Sequence, residues 1–144
     1  MTVLDSFAVL AFLQAEAGAT EVEALIRAGG ASMTVLGVAE VLDHLIRIAG
    51  AIEEDASLDV AQLGLDTPVV VDEATGAAAG RLRARVYHRT SYPVSLADCV
   101  AAEVARATRR PLATADPPLL AVCHREQISL VALPASDGSR WSPP

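Results

Sequence analysis

The chain has 144 residues, of which 52% are apolar and only 3% aromatic, with a formal net charge of −7. That length suits one domain with a core of Ala, Val and Leu, and is too short for two ordinary domains. All 11 basic residues are arginine, which excludes any mechanism needing a catalytic lysine, and the acidic balance disfavours unaided binding of a polyanion.

In chain order, Thr2-Val3-Leu4 reads as a short buried strand ending at Asp5-Ser6, ahead of a helix containing F-A-V-L-A-F-L-Q. A second helix from about Thr20 to Ala28 stops at Gly29-Gly30. Ser32 to Val35 is predicted as a second strand, followed by a helix from Gly37 to Ala49 and, after Gly50, another from Ile52 to Leu63. Pro68 to Val71 is predicted as a third strand, with Asp72 capping a long helix that reaches His88. Ser95 caps the next helix, which Arg109-Arg110-Pro111 closes, and the strand Pro111 to Thr114 delivers Asp116 just past its end. A short helix after Pro117 and a last strand, Ile128 to Leu133, complete a domain spanning 1–134, and 135–144 is predicted as a flexible tail.

Cys99 and Cys123 make no disulfide framework and lack metal-ligand spacing; Cys99, within an Ala-rich helix, reads as a small buried hydrophobe. The N-terminus lacks a basic segment before its apolar start, and no stretch is long enough to span a membrane. The expectation is a cytoplasmic protein with no membrane partner.

Strands alternating with helices predict an α/β domain with a mainly parallel sheet flanked by helices. Ligands bind such sheets beyond the carboxyl ends of the strands. Asp5, Asp72 and Asp116 fall at such ends, and each is also a plausible helix N-cap. Capping alone accounts for Asp72. Asp98, third in its helix after Ser95, suits a capping box, yet on the helical wheel it heads a face of Ala101, Ala102 and Ala105, away from Glu103, Arg106 and Arg110. For Asp98 a cap and a functional role are both open. Glu40 shares a stripe with Asp43, His44 and Arg47, which reads as a solvated face, and no histidine has ligand spacing. Arg81, Arg83, Arg85 and Arg89 cluster, with Arg81, Arg85 and Arg89 on one helical face. They read either as a solvated face paired with surplus carboxylates or as a phosphate-binding strip for RNA.

Four segments carry a family likeness: V-L-D-S-F-A-V-L-A-F-L, T-V-L-G-V-A-E-V-L-D, S-L-A-D-C-V-A-A-E-V-A and L-A-T-A-D-P-P-L-L. Their order and spacing, from Val3 to about Leu133, resemble PIN-domain ribonucleases, most closely VapC-type toxins of toxin–antitoxin pairs. The resemblance implies a PIN-like fold and a metal site in which Asp5, Glu40, Asp98 and Asp116 are both the catalytic residues and the metal ligands. Ser6 and Thr114 would be supporting hydroxyls. It further implies Mg²⁺ or Mn²⁺ as cofactor, RNA as substrate, a cognate antitoxin as partner and a homodimer. Cys99 stands where the family usually has alanine, and Leu119 or Leu120 where an aromatic often follows.

Physical chemistry makes that implication coherent. Carboxylates about 5 Å apart repel by roughly 3 kcal/mol per pair at an effective dielectric of 20, so such a cluster must bind cations or take up protons. Hard oxygen donors suit Mg²⁺ or Mn²⁺. A receiver-type phosphoacceptor domain also puts acids at strand ends, but pairs them with a lysine. The remaining alternative is a PIN-like interaction module with a weak or inactive site; against it, all four acidic positions are filled.

Overall fold

The computed structural model describes residues 1–144. Three short strands follow one another in the sheet because apolar residues alternate between two covered faces. These are β1 (Thr2–Leu4), β3 (Leu112–Thr114) and β4 (Leu130–Ala132), and β2 (Ala31–Ser32) adds an edge. The order is β2-β1-β3-β4 and every pairing is parallel. Val3 and Leu112 enter one core with residues of α5 (Glu73–Val86), α6 (Leu96–Thr108) and α7 (Pro117–Arg125). Leu4 and Ala113 enter the other, with α1 (Ser6–Leu13), Val22 of α2 (Ala19–Arg27), α3 (Val35–Asp43) and Ala56 of α4 (Glu53–Ala61). The two-residue period of a strand thus divides the core between two helical layers.

The chain leaves β1 towards β2 on one side, whereas β3 and β4 lie on the other. This reversal opens a crevice between the carboxyl ends of β1 and β3, where open α/β sheets bind their ligands. Asp5 follows β1 and Asp116 follows β3, so both stand at that crevice.

Several expected elements are corrected. Pro68–Val71 does not form a strand: one bridge, Thr34 to Val69, is made, and Val70 is 75% exposed. Pro68 has no amide to donate, and Asp72 begins capping α5 at once, so too few residues remain for a ladder. The second strand ends at Ser32 rather than Val35, because the Thr34 hydroxyl accepts from Gly37 N at 3.0 Å and starts α3 two residues early. The helix expected to reach Ala49 ends at Asp43 and continues as a π turn, His44–Ile48. Segment 135–144 has no regular structure, yet Arg140 bonds Glu21 and the Ala132 carbonyl, and Trp141 packs edge-on against His124.

Candidate metal centre

Four acidic side chains reach the crevice from four different helices, and each is placed by a local rule. Asp5, 3% exposed, caps α1 through a 2.8 Å bond from Ala8 N to Oδ1. Its Oδ2 accepts the hydroxyl of Thr114, whose Oγ1 in turn accepts Asp116 N at 3.0 Å. One buried threonine therefore ties the ends of the two central strands together. Asp116 caps α7 through Leu119 N at 3.1 Å. Asp98 completes a capping box, accepting Ser95 N on Oδ2 at 2.7 Å while Ser95 Oγ accepts Asp98 N at 3.0 Å. Glu40 is half-buried on α3, where its Oε2 accepts the Ser6 hydroxyl at 2.9 Å.

Capping is thus correct for Asp5, Asp98 and Asp116; it occupies one oxygen of Asp98 and of Asp116, whereas both oxygens of Asp5 are taken. Hydrogen bonds engage only Oε2 of Glu40, Oδ2 of Asp98 and Oδ2 of Asp116. The second oxygen of each is neither hydrogen-bonded nor sealed from solvent. Asp72, by contrast, is exposed and only caps, accepting Thr75 N at 2.8 Å.

Charge links what the caps hold. Burial pushes the Asp5 carboxyl up to about 7; its bonds to Thr114 and Ala8 oppose this, and the charges of Asp98 and Asp116 add to it. Burial also raises Glu40 and Asp116, against the bonds from Ser6 and Leu119 respectively, and in both the charge of Asp98 raises it further. Asp98 is the common neighbour of the other three. No three potential ligand side chains stand in ligating geometry about one point. The donor set is nonetheless all oxygen, anionic and mutually repelling, with free oxygens on three members. That chemistry fits a hard divalent cation and no soft one.

Two residues that the sequence did not single out flank these acids. A cavity of about 300 Å³ beside Asp116 and one of about 240 Å³ beside Ser6 and Glu40 share Phe7, Leu10 and His44 in their walls. Phe7 is 56% exposed on a helix otherwise turned inward. The only cue was its place immediately after Asp5-Ser6. Nothing in the spacing of His44 pointed to a wall position.

The arginine cluster does not make one strip. α5 ends at Val86, so Arg89 lies beyond the helix and shares no face with Arg81 and Arg85. Arg85 pairs with Glu126 at 3.2 Å, and Arg83 donates to the Val94 carbonyl and covers the Tyr87 ring. Glu103, expected on a polar stripe, is only 8% exposed and pairs with Arg106. Cys99 is buried, as expected.

A family model described as PIN domain matches residues 2–131. No curated protein matches the chain. Among solved structures, a chain of a toxin–antitoxin complex from Klebsiella pneumoniae superposes with a TM-score of 0.58 at 14% identity, covering 81% of this chain and 87% of that one. A chain of VapBC2 from Rickettsia felis, bound to a DNA fragment from their promoter, gives 0.63 at 16% identity, covering 92% and 98%. At these identities the likeness is one of fold.

Proposed function

The chain belongs to the PIN domain family, and from that premise we propose that it is a metal-dependent endoribonuclease toxin of the VapC type. It would hydrolyse RNA phosphodiester bonds at Asp5, Glu40, Asp98 and Asp116, and a cognate antitoxin would neutralise it. One observation carries the reading: Asp5, Glu40 and Asp116, from three different elements, all lie near enough to Asp98 to feel its charge, and Asp5 and Asp116 stand at the sheet's switch point. A burial-raised group such as Asp5 gives up its proton at lower pH when positive charge is supplied. Asp5, Glu40, Asp98 and Asp116 would hold Mg²⁺ or Mn²⁺, which would supply that charge and the Lewis acidity that hydrolysis of a phosphodiester needs.

The chain's own groups do the rest. Thr114 donates to Asp5 and holds it in place, and Ser6 donates to Glu40 Oε2, which leaves Oε1 free. The caps at Asp98 and Asp116 aim each carboxylate from a helix N-terminus. The bare acids repel an anionic RNA phosphate, and a bound cation would offset that repulsion.

The fold likeness to members of toxin–antitoxin complexes supports an antitoxin as partner. The groove formed by Phe7, Leu10 and Pro134 beside Asp116 offers an apolar seat from which a bound segment would cover the acids. We assign a homodimer, a cytoplasmic location, a domain of residues 1–134 and a flexible tail of 135–144 to the same reading. The purified chain, incubated with RNA, should cleave with Mg²⁺ or Mn²⁺ and not with EDTA, and a co-purifying antitoxin should suppress the cleavage. RNA left intact at every metal concentration, in protein shown to be folded, would favour the interaction-module alternative.

A further inference from the structure

The geometry points to a second ligand site: a cleft at the amino ends of β3 and β4 that binds a phosphate group through Arg109 and Arg110. The cleft measures about 240 Å³, and its polar walls are Arg106, Arg109, Arg110, Gln127 and Ser129. Arg110 precedes β3 and Ser129 precedes β4, whereas the acids follow β1 and β3. The two sites therefore lie at opposite ends of the sheet, and this inference does not rest on the nuclease reading.

Its charge is uncompensated. Arg106 is held by Glu103 at 3.3 Å and by Glu126 at 3.1 Å, which also takes Arg85. The side chains of Arg109 and Arg110 make no ion pair. In a molecule of net charge −7, that leaves a positive cleft.

The ordinary use of arginines at helix ends is to satisfy the last carbonyls and offset the dipole. Here the backbone already does the first task. Arg109 N and Arg110 N reach the Arg106 and Ala105 carbonyls, at 3.2 and 3.0 Å. Gln127 N and Ile128 N reach the His124 and Cys123 carbonyls, at 3.2 and 2.8 Å. Each dipole end carries only about half a charge, less than the two free guanidinium groups together.

A backbone feature strengthens the case. Arg109 closes α6 with φ 54° and Gln127 follows α7 with φ 57°, both in the left-handed region where glycine is the usual residue. Both helix ends thus carry a long polar side chain in a strained position, and both side chains line this one cleft. A non-glycine residue in this conformation costs stability, and here that cost falls on two residues whose side chains share one cleft. Guanidinium groups bind phosphate oxygens in pairs of charge-assisted bonds, and the Gln127 amide and Ser129 hydroxyl add donors for the remaining oxygens. The phosphate could belong to a nucleic-acid strand or to a small phosphorylated molecule.

The test uses the full chain in EDTA, so that no metal-held phosphate confuses the reading. Inorganic phosphate and a short single-stranded RNA are titrated separately. Arg109→Gln/Arg110→Gln should weaken phosphate binding on the order of tenfold or more. If the natural ligand is a strand, the slope of log affinity against log salt for RNA should also fall by roughly 0.7 per lost contact. Loss with phosphate alone would identify a small phosphorylated ligand. Arg27→Gln/Arg140→Gln, which removes equal charge from surface pairs elsewhere, should change neither. Arg109→Gly serves as the second variant: it should melt higher because the backbone strain is gone, and still bind phosphate more weakly. Unchanged affinity for both probes in either cleft variant, or equal losses in the control, would overturn the site.

Discussion

Asp5 shows how one residue carries both the fold and the proposed chemistry. Its carboxylate caps α1 and receives Thr114, but burial outweighs both bonds and raises its affinity for a proton to a pKa of about 7. A carboxyl raised in the folded state stabilises the protein while protonated. That stability is fully present below its ordinary value of 3.8 and is lost as pH rises through about 7. Metal-free protein should therefore melt lower at pH 8 than at pH 5, at about 1.4 kcal/mol for each tenfold change in proton affinity. Asp5→Asn should flatten the profile. Metal runs the other way: affinity for Mg²⁺ should fall as pH drops through about 7, because the proton competes for the same oxygens. An acid-to-base melting profile identical in Asp5→Asn and the parent would show that Asp5 is not the raised group. Glu40 was the residue hardest to read from sequence. Its helical stripe is polar, and only the long-range bond from Ser6 turns it towards the other acids.

At the scale of elements, the caps were legible and the edges were not. Asp5, Asp72, Ser95 and Asp116 each begin the helix expected of them, because capping is a local rule written within four residues. Val69 to Val71 misled because a run of β-branched residues matches a strand, and only the absent neighbour and Pro68 deny it. Thr34 was missed as a cap since Ser32-Met33-Thr34-Val35 reads equally well as strand. Helix α6 offers the element-level test, since its capping box both starts the helix and orients Asp98. Ser95→Ala should lower stability by about 1 kcal/mol. It should also reduce cleavage while leaving the helix otherwise formed. Full activity in that variant, together with the expected loss of stability, would separate the cap from the chemistry.

For the whole molecule, the alternation of strand and helix was enough to give a parallel sheet and hence the end at which a site belongs. The strand order, which places Asp5 and Asp116 side by side, depends on long-range pairing and had no local signal. A surplus of acid concentrated at one crevice implies coupling between cation binding and folding. Mg²⁺ or Mn²⁺ at about 100 times its dissociation constant should stabilise the chain by roughly 2.7 kcal/mol. Changing Asp5 and Asp98 together to Asn should abolish that gain, and a melting temperature indifferent to both ions in the parent would argue against the centre. The most direct measurement is the rate of Mg²⁺-dependent RNA cleavage by Asp98→Asn and Asp116→Asn beside Asp72→Asn. The expected result is that the first two fall to background while remaining folded, and that Asp72→Asn, which alters only a cap, cleaves like the parent. Cleavage at the parent rate by both Asp98→Asn and Asp116→Asn would contradict the four-carboxylate site.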